Sequence, residues 1–272
     1  LRFTIKLLGS FEARLNDVSV VPSAGKQRQL LALLALNADR AVSVSTIMTE
    51  LWGPEQSKAA GTTLHTYIGK LRRELEFAPR GRSGHDVKRI LVTEPVGYSL
   101  RVSTSDIDIG RYEQLAQAGR LAADHGDHEA ASRNLGAALS LWRGPALSDI
   151  AAGQHLMVEI VRLEESRLSD LDLRIESDLR LGRHRKLLGE LAGLCAQFPM
   201  SENFGMKYML ALYRSGQQWR ALEVYQRLRS TMSEELGVDP SATMQRLHLA
   251  MLRGDPAMDA PNPPPNGWIS AG

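Results

Sequence analysis

A mostly α chain with a small β portion is what three observations in the sequence predict: a basic three-helix unit edged by strands, then a longer array of paired helices. Residues 3–21 and 90–102 carry short β-type runs on either side of three amphipathic stripes. From about Ile107 the apolar spacing is helical almost throughout, and glycines 126, 182 and 216 share one register. The charge divides at the same place: residues 1–105 hold 15 Lys and Arg against 9 Asp and Glu, a net +6, while residues 106–272 hold 18 against 22, a net −4. Two domains suit 272 residues, each long enough to enclose its own core. A basic domain joined to a mildly acidic one fits a nucleic-acid binder followed by a protein-interaction module.

In chain order, the runs of residues 3–21 are broken at Gly9-Ser10 and Asn16-Asp17, the turn chemistry of a small antiparallel sheet. A leucine-rich helix is expected from about Lys26 to Ala38, with Leu30, Leu31, Leu34 and Asn37 at helical spacing. A second is expected to begin near Ser45, a good N-cap, and to bury Ile47, Met48, Leu51 and Trp52 before Gly53-Pro54 stops it. The third runs from about Ala59 to Leu75 on a stripe of Leu64, Tyr67, Ile68, Leu71 and Leu75. Beyond the polar loop 80–85, Ile90–Thr93 and Tyr98–Val102 read as strands joined by Glu94-Pro95-Val96-Gly97, a terminal hairpin. Helix, short helix, longer basic helix and hairpin is the order of a winged helix-turn-helix, here residues 1–105.

Gly182 and Gly216 are 34 residues apart, the tetratricopeptide period. Five, nine and twelve residues after the first stand Leu187, Leu191 and Leu194; after the second, Ala221, Tyr225 and Leu228. Gly126 opens the same frame with Ala131, Leu135 and Ala138, and Pro199 sits where a repeat closes. The 56-residue step from Gly126 to Gly182 exceeds the period by 22, so an insertion is expected near Arg143–Arg162. Residues 106–256 are therefore expected to form all-α tetratricopeptide-like hairpins, an unrelated helical bundle being the alternative. The tail 257–272, with Pro261-Asn262-Pro263-Pro264-Pro265, is too poor in core-forming residues to fold.

With its apolar stripe inward, the third helix places Thr62, Thr66, Gly69 and Arg73 opposite the core, Thr63 beside them, and His65, Lys70 and Arg72 on the flanks. Small hydroxyl residues near the start and cations toward the end suit a DNA major groove, where Thr meets base edges or thymine methyls and Lys or Arg reaches guanine acceptors or phosphates. A solvated charged face is the alternative for an isolated helix; the hairpin that follows favours DNA. Lys26, Arg28, Lys88 and Arg89 lie at a helix start or beside the hairpin, within reach of phosphates, and Thr93 and Tyr98 frame the wing.

Enzymatic motifs do not occur: there is no phosphate loop, no nucleophile elbow and no His-Glu-x-x-His helix. His125 and His128 have no third ligand nearby, so no metal and no cofactor are expected. Cys195, the only cysteine, excludes an internal disulfide and reads as core; Trp52, Trp142 and Trp219 read as packing residues. No run approaches the roughly 18 apolar residues of a membrane span. The first residues lack signal-peptide features, so a cytoplasmic, nucleoid-associated protein without a membrane partner is expected.

The segments 37–43, 48–53, 63–75, 92–93 and 97–98 resemble the OmpR-type DNA-binding domain in complete order. The chain as a whole, to about residue 256, resembles the Streptomyces antibiotic regulatory proteins, the AfsR/DnrI group. The resemblance rests also on Lys26-Gln27-Arg28-Gln29-Leu30-Leu31, the wing 93–98 and Glu234-Glu235-Leu236-Gly237-Val238-Asp239-Pro240. No arginine lies between Thr93 and Tyr98, a departure from the wider OmpR pattern that leaves Lys88 or Arg89 as the substitute. The resemblance implies a bacterial transcriptional activation domain at 106–256, direct-repeat promoter sites bound by a head-to-tail homodimer, and control of antibiotic biosynthesis genes. It also implies that the loop Pro54, Glu55, Gln56, Ser57 and Lys58 meets RNA polymerase through its sigma or alpha subunit. The competing expectation is a repeat-type protein scaffold without specific DNA binding.

Overall fold

The computed structural model describes residues 3–54, 59–77 and 89–258. Strands β1 (Phe3–Lys6), β2 (Glu12–Leu15) and β3 (Val18–Ser19) form an antiparallel sheet in that order. Phe3, Ile5, Ala13 and Leu15 are buried along one face, as period-two alternation requires. Asn16 and Asp17 have φ of 46° and 66°, the left-handed pair that a two-residue hairpin turn needs.

Helices α1 (Gly25–Leu36), α2 (Val44–Trp52) and α3 (Ala60–Phe77) follow, then β5 (Leu91–Glu94) and β6 (Gly97–Leu100). The expected hairpin is part of a three-stranded sheet, because Val42–Ser43 forms β4 and pairs with β6 in the order β4-β6-β5. This also corrects the expected cap of α2. The chain is extended through Ser43, so Ser43 is the N-cap, its Oγ accepting from the Thr46 N–H at 3.0 Å, and Ser45 lies inside the first turn. Gly97 is required here, since a Cβ would fall 1.9 Å from the Val42 carbonyl oxygen.

The remaining helices are α4 (Asp108–Asp124), α5 (His128–Leu139), α6 (Gln154–Arg180), α7 (His184–Gln197), α8 (Glu202–Arg214), α9 (Gln218–Leu236) and α10 (Ala242–Arg253). The chain divides into two compact units, residues 1–117 with 136–169 and residues 118–135 with 170–272. In the first, one apolar core holds Leu7, Leu8, Leu34, Ile47 and Leu64 together with Tyr112, Leu147, Leu156 and Leu163. Three carboxylates bind backbone N–H groups more than 90 residues away in sequence. Asp108 accepts from Leu7 at 2.8 Å and Leu8 at 3.0 Å, and Asp149 from Phe11 at 2.6 Å. Glu50 accepts from Gly153 at 2.6 Å, His155 at 2.8 Å and Leu156 at 3.1 Å, at the start of α6. A carboxylate there satisfies N–H groups that the helix itself leaves unpaired.

In the second unit, Gly182 and Gly216, like Gly126, have φ of 74° to 78° and each precedes a helix by two residues. All nine apolar positions that this register singles out are buried, in α5, α7 and α9. The insertion between the first two frames is the loop 140–153 with the first half of α6, which belongs to the first unit. Trp219 departs from expectation: two residues before the buried Ala221, and so on the opposite face, it is 69% exposed on the outer side of α9. The packed chain also continues beyond 256. Pro256–Met258 forms a short 3-10 turn, Met258 is buried in the second core, and its carbonyl accepts from Arg214 Nε at 2.9 Å. Residues 259–272 lie outside the described residues.

Cys195 is half-buried on α7, and burial pushes its thiol up to about 11. Alkylation by iodoacetamide at pH 8 is expected to be slow in the folded protein and fast in denaturant. Equal rates in both would contradict this burial. Among the described residues no helix is long and apolar enough to cross a membrane.

Candidate nucleic-acid interface

The inner side of α3 is fixed by Leu64, Ile68, Leu71 and Leu75, all buried, while Trp52 of α2 stacks on Tyr67 with ring centroids 6.0 Å apart. This anchoring leaves Thr62, His65, Thr66, Lys70 and Arg73 exposed on the outer side, with Thr63, Gly69 and Arg72 half-buried beside them. Thr66 Oγ1 donates to the Thr62 carbonyl at 3.1 Å and Thr63 Oγ1 to the Ala59 carbonyl at 3.0 Å, so both hydroxyls turn back along the helix. Arg73 reaches only the Gly69 carbonyl, through Nε at 3.4 Å, and Lys70 makes no hydrogen bond or ion pair among the described residues. Two cations are therefore available on an exposed face about one helix wide.

The other residues expected at this interface are engaged differently. Arg72 binds the Leu91 carbonyl and Thr93 Oγ1 of β5, and the buried Tyr98 hydroxyl meets His65 Nδ1 at 2.9 Å. Lys26, though exposed, binds the Leu51 carbonyl and, at 3.3 Å, Gln29 Oε1. Arg28 donates to the Pro22 carbonyl and pairs with Asp149, each at 3.3 Å. Arg89 is exposed, and Lys88 lies outside the described residues. Of the loop 54–58, Pro54 is exposed and Glu55, Gln56, Ser57 and Lys58 lie outside the described residues. Gly53, with φ of 77°, ends α2 ahead of it.

One cation on the hairpin was not anticipated. Arg101, just after β6, is exposed and lies 2.9 Å from Glu94, whose carboxyl it holds below the usual range together with the Ser99 hydroxyl. The sequence places Arg101 inside the expected strand Tyr98–Val102, whereas β6 ends at Leu100 and leaves it one position beyond. Among the described residues no group of three or more His, Cys, Asp and Glu is placed to hold a metal ion.

Glu74, on the flank of α3, has a buried Oε2 without a hydrogen-bond partner among the described residues; burial raises its carboxyl above the ordinary value, against an opposing pull from Lys70. A carboxyl raised in the folded state favours folding below its unfolded value, and that contribution is lost as pH rises through the folded value. Glu74→Gln is therefore expected to raise the melting temperature at pH 7 and to change it little at pH 4. A shift of the same size at both pH values would contradict the assignment.

Comparison with known proteins gives consistent results. Residues 107–252 match the bacterial transcriptional activator domain, and residues 19–100 match the family described as transcriptional regulatory protein, C terminal. The chain is 45% identical over 259 residues to the regulatory protein DnrI of Streptomyces peucetius, covering 95% of both. It is 35% identical to the regulatory protein AfsR of Streptomyces coelicolor, covering 95% of this chain and 25% of that protein. The solved structure of Mycobacterium tuberculosis EmbR in complex with a low affinity phosphopeptide aligns with a TM-score of 0.83 at 33% identity, over 94% of this chain and 66% of that one. The chain thus spans nearly all of one relative, about two thirds of another and a quarter of the third.

Proposed function

The chain belongs to the Streptomyces antibiotic regulatory protein family of transcriptional activators, and from that premise we propose that it binds promoter DNA sequence-specifically and recruits RNA polymerase. The observation that carries this reading is the outer side of α3, where Thr62, His65, Thr66, Lys70 and Arg73 stand exposed over an anchored apolar side and beside a β-hairpin. A helix so presented fits a major groove, with hydrogen-bonding groups for base edges and two exposed cations for guanine or phosphate oxygens. The site is a direct repeat spaced by one helical turn, bound head to tail by two protomers, and the controlled genes are those of antibiotic biosynthesis. The loop 54–58 and the mildly acidic helical stretch 106–256 are the surfaces proposed for polymerase, through its sigma or alpha subunit. The protein acts in the cytoplasm, on the nucleoid.

A gel-shift titration against salt, on a duplex selected from random sequence, tests the DNA-binding reading. Lys70→Ala and Arg73→Ala are each expected to weaken specific binding by about 1–3 kcal/mol while melting as the parent does. A cation that contacts phosphate also lowers the salt slope, by about 0.9 when it is removed. No specific complex with any duplex would leave the protein-scaffold reading in its place.

A further inference from the structure

Arg72 stands among the cations of α3, yet its guanidinium is turned away from the exposed side. Nε and Nη2 donate to the Leu91 carbonyl at 3.1 and 2.9 Å, and Nη2 donates also to Thr93 Oγ1 at 2.8 Å. The Leu91 carbonyl needs such a partner. β5 is an edge strand of its sheet, and the Arg101 N–H donates to the Ile90 carbonyl at 2.7 Å, which makes Ile90 and Arg101 the hydrogen-bonded pair. Antiparallel alternation then turns the Leu91 carbonyl outward, away from β6 and toward α3. Two turns earlier on α3, His65 Nδ1 meets the hydroxyl of Tyr98 in β6. The hairpin is thus tied to the helix at two points, once through each strand.

We propose that Arg72 is a positioning residue that sets the angle of the wing against the recognition helix and does not itself touch DNA. This rests on the reading that α3 enters the major groove, and it divides the helix cations by role: Lys70 and Arg73 face the nucleic acid, and Arg72 makes helix and wing one rigid reader. The guanidinium sets two coplanar donors, Nε and Nη2, on the Leu91 carbonyl while Nη2 also meets Thr93, a fixed fork that the single rotating nitrogen of a lysine does not reproduce.

The test measures affinity and footprint on the selected duplex for Arg72→Ala, Arg72→Lys, Thr93→Val and the double variant Arg72→Ala/Thr93→Val. Arg72→Ala is expected to bind about tenfold more weakly, the factor that one lost hydrogen-bonded tie produces. Arg72→Lys recovers little of that loss despite its charge. Thr93→Val, uncharged and similar in shape, weakens binding in the same direction, and the double variant is no weaker than Arg72→Ala alone. Hydroxyl-radical protection on the wing side fades in these variants, while methylation interference at major-groove guanines stays as in the parent. Parent-like binding by Arg72→Lys overturns the proposal, as does the loss of interference at a single guanine with wing protection intact. If Lys70→Ala and Arg73→Ala also bind as the parent does, the reading of α3 itself falls, a result distinct from failure of the Arg72 assignment alone.

Discussion

A chain cut after residue 105 is expected to lose most of its folding stability, even though it retains all three helices and both sheets of the winged-helix arrangement. The compact first unit also includes residues 106–117 and 136–169. Tyr112, Trp142, Leu147, Leu156 and Leu163 share its core with Leu7, Leu8 and Ile47. Each large side chain removed from that core, or uncovered by the cut, forfeits about 1.5–3 kcal/mol of burial. Several such losses reach the whole stability of a typical domain, about 5–15 kcal/mol. The backbone N–H groups of Leu7, Leu8 and Phe11 lose Asp108 and Asp149 as well. Urea denaturation of residues 1–105 beside the full chain checks this. Equal midpoints for the winged-helix signal would show that the helical segment adds nothing, whereas the expected result makes fragment 1–105 unsuitable for asking whether the second unit activates transcription.

Glu50→Ala is expected to be the most damaging single substitution in the first unit. Glu50 is 2% exposed, and its carboxylate accepts from Gln29 Nε2 at 2.8 Å as well as from the N–H groups of Gly153, His155 and Leu156. The fit is close: a Cβ on Gly153 would lie 2.2 Å from the Glu50 carbonyl oxygen. Removing the carboxylate orphans three backbone donors and leaves the Gln29 amide only its bond to the Glu50 carbonyl at 2.9 Å; with hydrogen bonds to a charged group each contributing about 1.5–3 kcal/mol, the expected loss is about 4 kcal/mol or more. Glu50→Gln keeps one acceptor oxygen and is expected to lose roughly half of that. A change under about 1 kcal/mol for Glu50→Ala in urea denaturation would place it with ordinary surface substitutions and contradict the account.

The sequence made some of these features legible and hid others, for physical reasons. The glycine register was readable because Gly126, Gly182 and Gly216 each take a left-handed φ at a helix junction, and a repeating apolar offset marks the buried side of each helix that follows. The α3 stripe was readable because residues three and four apart share a helix face. Strand β4 was hidden: two residues carry no periodicity, and Val42–Ser43 is a strand only because β6 lies beside it. The roles of Glu50, Asp108 and Asp149 were hidden because their partners are backbone N–H groups, which leave no mark in a sequence. Side-chain direction was hidden too. Spacing alone puts Arg72 on the flank of α3 with Lys70, but the outward carbonyl of Leu91 draws its guanidinium to the wing. Trp219 was misjudged because tryptophan is usually a packing residue, whereas its place in the first turn of α9 faces solvent.

The central claim is that the outer side of α3 reads bases, and parallel selections from random duplex DNA test it most directly. They use the parent protein and His65→Ala, Thr66→Ala, Lys70→Ala and Arg73→Ala. The parent is expected to enrich paired direct repeats about 10–10.5 base pairs apart, the spacing of one helical turn. Each variant is expected to relax the base preference at one or two positions of each repeat while keeping the rest. No enriched sequence from the parent, or the same preferences from all four variants as from the parent, would contradict the account.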